Sequence, residues 1–356
     1  MIPATDVTGG LTTRIQLVRD EVKLEEQAAK THVETVHQPD GTNYTLGVIN
    51  LPAFYVDLKS KYKDREEFRS SARDVAQLIV DMRSSNRIDG ILLDLRNNGG
   101  GSLTEAVEMT GLFLRSGPVV QVNEMRSVQI LNDQDPTILY GGPLAVLISR
   151  QSASAAEILS AALQDYGRAI IIGDSKTHGK GSVQTLVNLD FNNARLGQIK
   201  VTTATFHRIT GGSTQREGVS ADIVVPSFLD MMEIGEEFLP HALPWSQVLP
   251  AYYRPVANIA PIIPGLREKS ALRQSQDPRF KAYRATLDRF AEHQNSQVIS
   301  LNLAKRLALS RAEKEITDVE DKMDEPGPDP RGDIVLPEAL QVLADHIAIM
   351  RRERKL

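Results

Sequence analysis

Apolar and polar residues along positions 44–226 follow two different periods. Short apolar runs predict five strands, and the middle three are almost wholly apolar, as in strands that a sheet buries on both faces. Between these runs, apolar residues recur every three or four positions and predict helices. The strands are predicted over 46–51, 90–95, 144–149, 169–173 and 199–207, and the helices over 68–82, 103–114 and 154–166. This alternation indicates an α/β layered domain.

The sequence changes character on both sides of this region. The flanking segments are a charged stretch (21–30), a turn (39–42), a stretch with six prolines (240–264), a charged segment that favours helix (278–314), a linker (324–331) and an amphipathic helix (337–351). We therefore predict three parts. They are an N-terminal piece containing strands (1–43), the α/β core (44–230) and a helical C-terminal region (231–356).

The composition and net charge of the sequence limit the classes of protein to which it can belong. A chain of 356 residues is enough for about two domains, and 41% apolar with 24% charged residues is typical of globular proteins. The net charge of −5 provides no positive field for nucleic acid, so we expect no such partner. The sequence has no apolar run of transmembrane length, no signal peptide at its start and no cysteine.

Two classes of site are not expected. The seven histidines show no zinc-site spacing and His-Glu-x-x-His is absent, so we predict no catalytic metal and no cofactor. The segment from Gly173 to Ser182 superficially resembles a phosphate-binding loop. Five residues separate its first two glycines where four are needed, and Gly181 follows Lys180 where Ser or Thr is required. An NTPase is therefore excluded.

Ser154 follows a predicted buried strand and opens a predicted helix. One interpretation is a capping box, in which Ser154 and Glu157 each bond to the backbone at the helix start. The other is a nucleophile, because backbone N–H groups at a helix start, notably that of Ala155, can stabilise an oxyanion. This segment alone leaves both interpretations open.

A serine nucleophile needs a base, and Lys180 is a candidate, 26 residues further on between Gly179 and Gly181. A free lysine has a pKa of about 10.4 and is almost wholly charged at pH 7. A useful base needs a pKa lower by about 3 units, which requires burial away from carboxylates. An exposed loop lysine is the alternative.

A third candidate is the glycine-rich segment 94–103, which leaves a predicted strand and enters a helix. Its three consecutive glycines allow close approach of the backbone to a ligand, and its amides can bind a carbonyl oxygen. The alternative is an ordinary strand-to-helix turn. The nucleotide-binding spacing G-x-G-x-x-G is absent.

Together, six segments resemble the tail-specific, or C-terminal processing, serine endopeptidases of bacteria. They are 94–107, 152–157, 164–169, 179–184, 211–219 and 242–245. The helical part after Trp245 resembles the C-terminal region of the larger, periplasmic branch in Gram-negative bacteria. The resemblance implies an α/β, crotonase- and ClpP-like layered protease core with a parallel-rich sheet, followed by a helical region.

The resemblance also implies roles for individual residues. These are Ser154 as nucleophile, Lys180 as general base, Gln184 to orient the lysine amine, Asp165 at an acidic position of the larger branch, and the N–H groups of Gly100 and Ala155 as oxyanion donors. Such a Ser-Lys dyad is a variant of triad chemistry. The chain departs from the family pattern at Ala156, at Ala221 and in a slightly longer loop at 173–179.

The resemblance further implies protein or peptide substrates with apolar or unfolded C-terminal tails, a periplasmic location, and an adaptor protein as a candidate partner of the helical region. Family members carry a PDZ domain before the core, and we expect residues 1–43 to hold only strands flanking that missing domain. Two alternatives are an idle peptide-binding or scaffold form and a crotonase-like acyl-CoA enzyme. The latter would need neither Lys180 nor Gln184.

Overall fold

The computed structural model describes residues 28–57, 68–124, 126–189, 196–294, 301–307, 310–311 and 333–353. The strands are β1 (Lys30–His37), β2 (Asn43–Asn50), β3 (Gly90–Asp94), β4 (Gly117–Asn123), β5 (Val128–Asp133), β6 (Leu144–Ile148), β7 (Ile170–Gly173), β8 (Ser182–Asn188), β9 (Gln198–His207) and β10 (Ile223–Val224). The helices are α1 (Ser71–Ser85), α2 (Leu103–Gly111), α3 (Ala155–Asp165), α4 (Ile263–Gln276), α5 (Pro278–Gln294) and α6 (Val335–Glu353).

The larger sheet has the strand order β1-β2-β3-β6-β7-β10. Only the pairing of β1 with β2 is antiparallel, and the four other pairings are parallel. Every residue of β3, β6 and β7 is buried, as their apolar sequences predict. The predicted α/β fold with a parallel-rich sheet and a helical C-terminal region is confirmed.

The smaller sheet is antiparallel, with the order β5-β4-β9-β8. Most of β8 and the first half of β9 are exposed, so this hairpin stands away from the core. The loop containing Lys180 leads directly into β8.

Side chains alternate between the two faces of the larger sheet along each strand, so apolar strands place apolar side chains on both faces. Helices cover both of these faces. On one face lie α1, α2 and α3, which contribute buried residues such as Ile79, Met109 and Leu159. On the other lie α4 and α6, whose Leu266 and Leu343 belong to one buried cluster with strand residues such as Leu92 and Leu147. The predicted core and the predicted C-terminal region thus share a hydrophobic core.

All five predicted strands and the first three predicted helices are present, with ends shifted by a few residues. The helix predicted over 337–351 is confirmed as α6. The elements that the pattern did not indicate are β4, β5, β8, β10 and α4, and β1 lies within the segment 1–43 that was predicted to contain strands. Helix α4 carries a proline in its first turn, where proline is tolerated, so the proline-rich stretch concealed it. The predicted linker at 324–331 lies outside the described residues.

Candidate active site

Ser154 lies at the turn between β6 and α3. Its backbone has φ 58° and ψ −112°, a strained conformation for a residue with a side chain. Buried hydrogen bonds fix the turn to the end of β3, since Ser152 Oγ donates to the Leu95 carbonyl at 2.7 Å and Ala153 N–H donates to the Asn98 carbonyl at 3.0 Å. The serine is therefore held in a defined position at the helix start.

A single buried carboxylate joins this turn to the lysine loop. Glu157 Oε2 accepts hydrogen bonds from the backbone N–H of Ser154 at 2.7 Å and of Lys180 at 3.0 Å. Glu157 Oε1 accepts bonds from Thr177 Oγ1 at 2.6 Å and Gly179 N–H at 2.7 Å. Burial raises the pKa of Glu157 to about 7, and these four donors act against that rise. The Glu157 half of the predicted capping box is present, and it also brings the two candidate catalytic residues together.

The Lys180 side chain is half-buried. Burial lowers its pKa, and the nearby positive charge of Lys200 lowers it further, whereas Glu236 and Glu157 act in the opposite direction. The Lys180 carbonyl accepts a hydrogen bond from Thr214 Oγ1 at 2.8 Å, which fixes the loop on its other side. The direction of the shift is the one that a lysine base requires.

The glycine-rich loop lies against Ser154. Gly100 has φ 102°, and a Cβ atom there would lie 2.8 Å from the Cβ of Ser154, so only glycine fits. Gly100 N–H donates to the buried Asn98 Oδ1 at 2.8 Å. Ala155 N–H, in the first turn of α3, has no acceptor among the residues that the structure describes. Of the two predicted oxyanion donors, the Ala155 N–H group is therefore free to bind an oxyanion, whereas the Gly100 N–H group is already bonded to Asn98 Oδ1.

Two predicted site residues do not join this cluster. Gln184 is exposed on β8 opposite Thr202, and its side chain makes no hydrogen bond to Lys180 or any other described residue. Asp165 lies at the far end of α3, about 16 Å along the helix axis from the serine. There it pairs with Arg208, whose Nη2 is 2.5 Å from Asp165 Oδ1. Burial raises the pKa of Asp165, and Arg208 opposes the rise.

Three residues that shape the candidate site were not predicted from the sequence to do so. Glu157 was considered only as a helix cap, although its spacing from Ser154 was the available signal. Asn98 stands in the glycine-rich loop, but nothing in the pattern indicates that its side chain turns back on Gly100. Lys200 is 20 residues from Lys180 and approaches it only through the β8–β9 pairing, so no local signal exists.

The described residues contain no group of three or more His, Cys, Asp or Glu side chains arranged to hold a metal ion. Among the helices that the structure describes, none has the length and apolar character needed to cross a membrane.

Comparisons with known proteins give consistent results. The family model for peptidase family S41 matches residues 45–225, about half of the chain, and a model described as the C-terminal domain of tail specific protease matches residues 229–348. The tail-specific protease of Haemophilus influenzae is 41% identical over 308 residues, which are 84% of this chain and 41% of that protein.

More distant relatives have related names. The carboxy-terminal-processing protease of Bartonella bacilliformis is 33% identical over 213 residues, covering 59% of this chain and 43% of that protein. A solved photosystem II D1 C-terminal processing protease is 27% identical with a TM-score of 0.45, covering 59% of this chain and 51% of that one. The chain thus spans less than half the length of the two bacterial relatives.

Proposed function

The chain belongs to peptidase family S41, and from this membership we propose that it is a serine endopeptidase that uses a Ser154-Lys180 dyad. The observation that carries the proposal is the shared acceptor Glu157 Oε2, which holds the backbones of both residues at once. The fit of Gly100 against Ser154 supports it, because that contact places backbone amides beside the nucleophile.

The proposed reaction proceeds in two halves. Neutral Lys180 Nζ takes the proton of Ser154 Oγ as that oxygen bonds to the scissile carbonyl carbon, and the carbonyl oxygen becomes an oxyanion beside Ala155 N–H. The lysine ammonium then protonates the leaving amine as the C–N bond breaks. Water attacks the acyl-enzyme with Lys180 again as base, which releases the new C-terminus and restores the serine.

The second oxyanion donor requires a local change. Gly100 N–H must leave Asn98 Oδ1 before it can bind the oxyanion, and a glycine peptide can rotate with little steric hindrance. We propose that substrate binding drives this rotation, as gating steps do in other enzymes. Gln184 and Asp165 stay predictions, the former for orientation of the lysine amine in a substrate complex.

We further propose that the substrates are proteins with apolar or unfolded C-terminal tails. The names of the relatives, tail-specific and carboxy-terminal-processing protease, support this class. The periplasm is the proposed location, in keeping with the resemblance to the larger Gram-negative branch. The helical part, residues 231–356, is the proposed contact region for an adaptor protein.

The test is cleavage of an unfolded protein with an apolar C-terminal tail, at pH 7 and pH 9. We expect the parent to cleave, and faster at pH 9, where more Lys180 is neutral. Ser154→Ala and Lys180→Ala should lose activity by roughly a thousand-fold or more. Ser160→Ala and Lys281→Ala, the latter at an exposed lysine of α5, are matched controls outside the cluster.

Two other outcomes would contradict the proposal. Full activity of Lys180→Ala would favour the crotonase-like alternative, which has no use for that lysine. A parent that binds the tail without cleaving it would favour the peptide-binding form.

A further inference from the structure

The C-terminal region reaches the candidate active site through the short segment 234–239. Glu236 N–H donates a hydrogen bond to the carbonyl of His178, two residues before Lys180, at 2.9 Å. Gly235 has φ 143°, and a Cβ atom there would lie 3.0 Å from the same carbonyl, so the backbone angle and the contact both favour glycine. The loop that carries Lys180 therefore packs against a segment outside the α/β core predicted from the sequence.

The side chain of Gln215 joins this segment to the lysine loop and is fully buried. Its Oε1 accepts a hydrogen bond at 2.8 Å from Gly181 N–H, which belongs to the peptide group that follows Lys180. Its Nε2 donates to Glu236 Oε1 at 3.2 Å and to the Leu243 carbonyl at 3.1 Å. Because Nε2 carries two N–H groups and each has an acceptor, the orientation of the amide is fixed.

These bonds hold the backbone of Lys180 on both of its sides. Its own N–H donates to Glu157 Oε2, and the next N–H, that of Gly181, donates to Gln215. Without Gln215, the Gly181 N–H group would be buried with no acceptor, and the peptide group after Lys180 could rotate. Such a rotation changes the direction of the Lys180 side chain relative to Ser154, and a displacement of about 1 Å can slow a reaction a hundred-fold.

Glu236 also acts on Lys180 through its charge. The charges of Glu236 and Glu157 favour the ammonium form of Lys180, whereas that of Lys200 disfavours it. His178 is the other titratable side chain that faces Glu236, with Nδ1 4.0 Å from Oε2. Burial lowers the pKa of His178, so its ring is neutral at pH 7 and leaves the charge of Glu236 in place.

We propose that Gln215 and Glu236 are positioning residues for the Lys180 base, as the aspartate of a Ser-His-Asp triad is for its histidine. Gln215 fixes the backbone next to the base. Glu236 fixes the Gln215 amide and stabilises the ammonium that forms when Lys180 takes the serine proton. This inference rests on the proposed endopeptidase function and adds to it a contribution from the C-terminal region.

The first test is the pH dependence of kcat and kcat/KM for Glu236→Gln, from pH 6 to pH 10 with the unfolded substrate described above. Glutamine keeps an oxygen acceptor for Gln215 but carries no charge. We expect kcat to fall about ten-fold. The rise of activity with pH should move to lower pH by roughly half a unit or more, because the ammonium of Lys180 loses a stabilising charge. Glu233→Gln, at an exposed glutamate of the same segment, is the matched control and should follow the parent.

The second test is Gln215→Ala, which should lower kcat by roughly 10- to 100-fold and change KM much less. Gln215→Glu keeps an acceptor for Gly181 and should retain more activity than Gln215→Ala. The rate at which a fluorophosphonate labels Ser154 should fall by the same factor as kcat, since it reports the reactivity of the serine without a protein substrate. Gln77→Ala, at an exposed glutamine of α1, is the control. Urea denaturation shows whether each variant is folded under the assay conditions.

Parent values of kcat and of the pH profile for Glu236→Gln, or a shift of its profile to higher pH, would overturn the inference. A folded Gln215→Ala variant with the parent labelling rate would also overturn it. Failure of the proposed function gives a different result, since Lys180→Ala would then remain fully active. Labelling of Ser154 needs no cleavage of the tail substrate, so the variants can be compared even if the parent does not cut it.

Discussion

The Lys180 amine is partly buried and lies near three charged side chains. Lys200 disfavours its charged form, whereas Glu236 and Glu157 favour it. Because only the neutral amine can accept the serine proton, these neighbours set the pH at which the proposed dyad works. Lys200 is on the exposed hairpin, where it can be changed without disturbing the core.

Lys200→Gln should move the rise of activity with pH to higher pH. Loss of a positive charge beside Lys180 stabilises its protonated form and raises its pKa, so less of the neutral base exists at a given pH. The measurement is kcat/KM from pH 6 to pH 10 at low salt.

Lys200→Arg keeps the charge and serves as the matched control, so it should follow the parent profile. The difference between the two variants should shrink near 1 M salt, where the Debye length is about 3 Å. Identical shifts for both variants would show that Lys200 acts through packing and not through charge.

At the residue scale, the sequence was sufficient where the determinants are local. Ser154 and the glycines lie in short segments whose spacing indicates the candidate site, whereas Glu157 was predicted from its spacing only as a helix cap. The contact of Asn98 depends on its side-chain rotamer, and that of Lys200 depends on pairing across a hairpin. Neither produces a periodic pattern in the sequence.

Helix α6 is attached at its first turn to the strand that leads into the glycine-rich loop. Asp333 Oδ1 accepts hydrogen bonds from Val335 N–H at 2.9 Å and Leu336 N–H at 3.0 Å, and Asp333 Oδ2 is 2.8 Å from Arg96 Nη2. Arg96 also pairs with Asp94 at the end of β3. Burial raises the pKa of Asp333, but Arg96 and the backbone N–H groups of Leu336 and Val335 together hold it below its ordinary value. These contacts therefore stabilise the fold above the ordinary aspartate pKa, and the effect is lost as pH falls below it.

Asp333→Ala should lower the free energy of unfolding at pH 7 by about 2–3 kcal/mol, because it removes both a helix cap and a half-buried ion pair. Asp333→Asn keeps the cap and should have a smaller effect. Urea denaturation followed by circular dichroism measures both.

Asp277 provides the control for this prediction, since it caps the start of α5 through Arg279 N–H at 2.7 Å. Its ion pair with Arg279 lies at the surface, so Asp277→Ala should remove about 1 kcal/mol or less. Equal losses of unfolding free energy for Asp333→Ala and Asp277→Ala would mean that the ion pair between Asp333 and Arg96 adds no stability.

At the element scale, buried strands were predictable because both of their faces are apolar. Strands β5 and β8 are largely exposed, so no apolar run identified them. Two-residue β10 forms because the sheet edge at β7 offers free hydrogen-bonding groups, and this too lies beyond any local pattern.

The described part of the molecule is built around the larger sheet, whose second face is covered by helices far along the chain. Leu343 of α6 is fully buried in the cluster that includes Leu92 of β3. The predicted division at 230/231 follows a change in sequence character, but apolar contacts cross it. Sequence patterns could indicate the helices and not the surface on which they pack.

Leu343→Ala should therefore lower the free energy of unfolding of the entire core by about 2–5 kcal/mol. Leu272→Ala, on the exposed side of α4 where the leucine is 56% accessible, should change it by about 0.5 kcal/mol or less. Tryptophan fluorescence and circular dichroism in urea should give one coincident transition. Two separate transitions, with only one sensitive to Leu343→Ala, would show that the helical region folds independently.

The position of α6 on the sheet has a consequence for synthesis on the ribosome. Strand β2 emerges roughly 300 residues before α6, an interval of about 15–60 s at 5–20 residues per second. During that interval the face of the larger sheet that α6 later covers is exposed. Its leucines and valines can then contact other nascent chains or a chaperone. Since α6 is also attached to the strand before the glycine-rich loop, the proposed catalytic site is completed only after α6 has been translated.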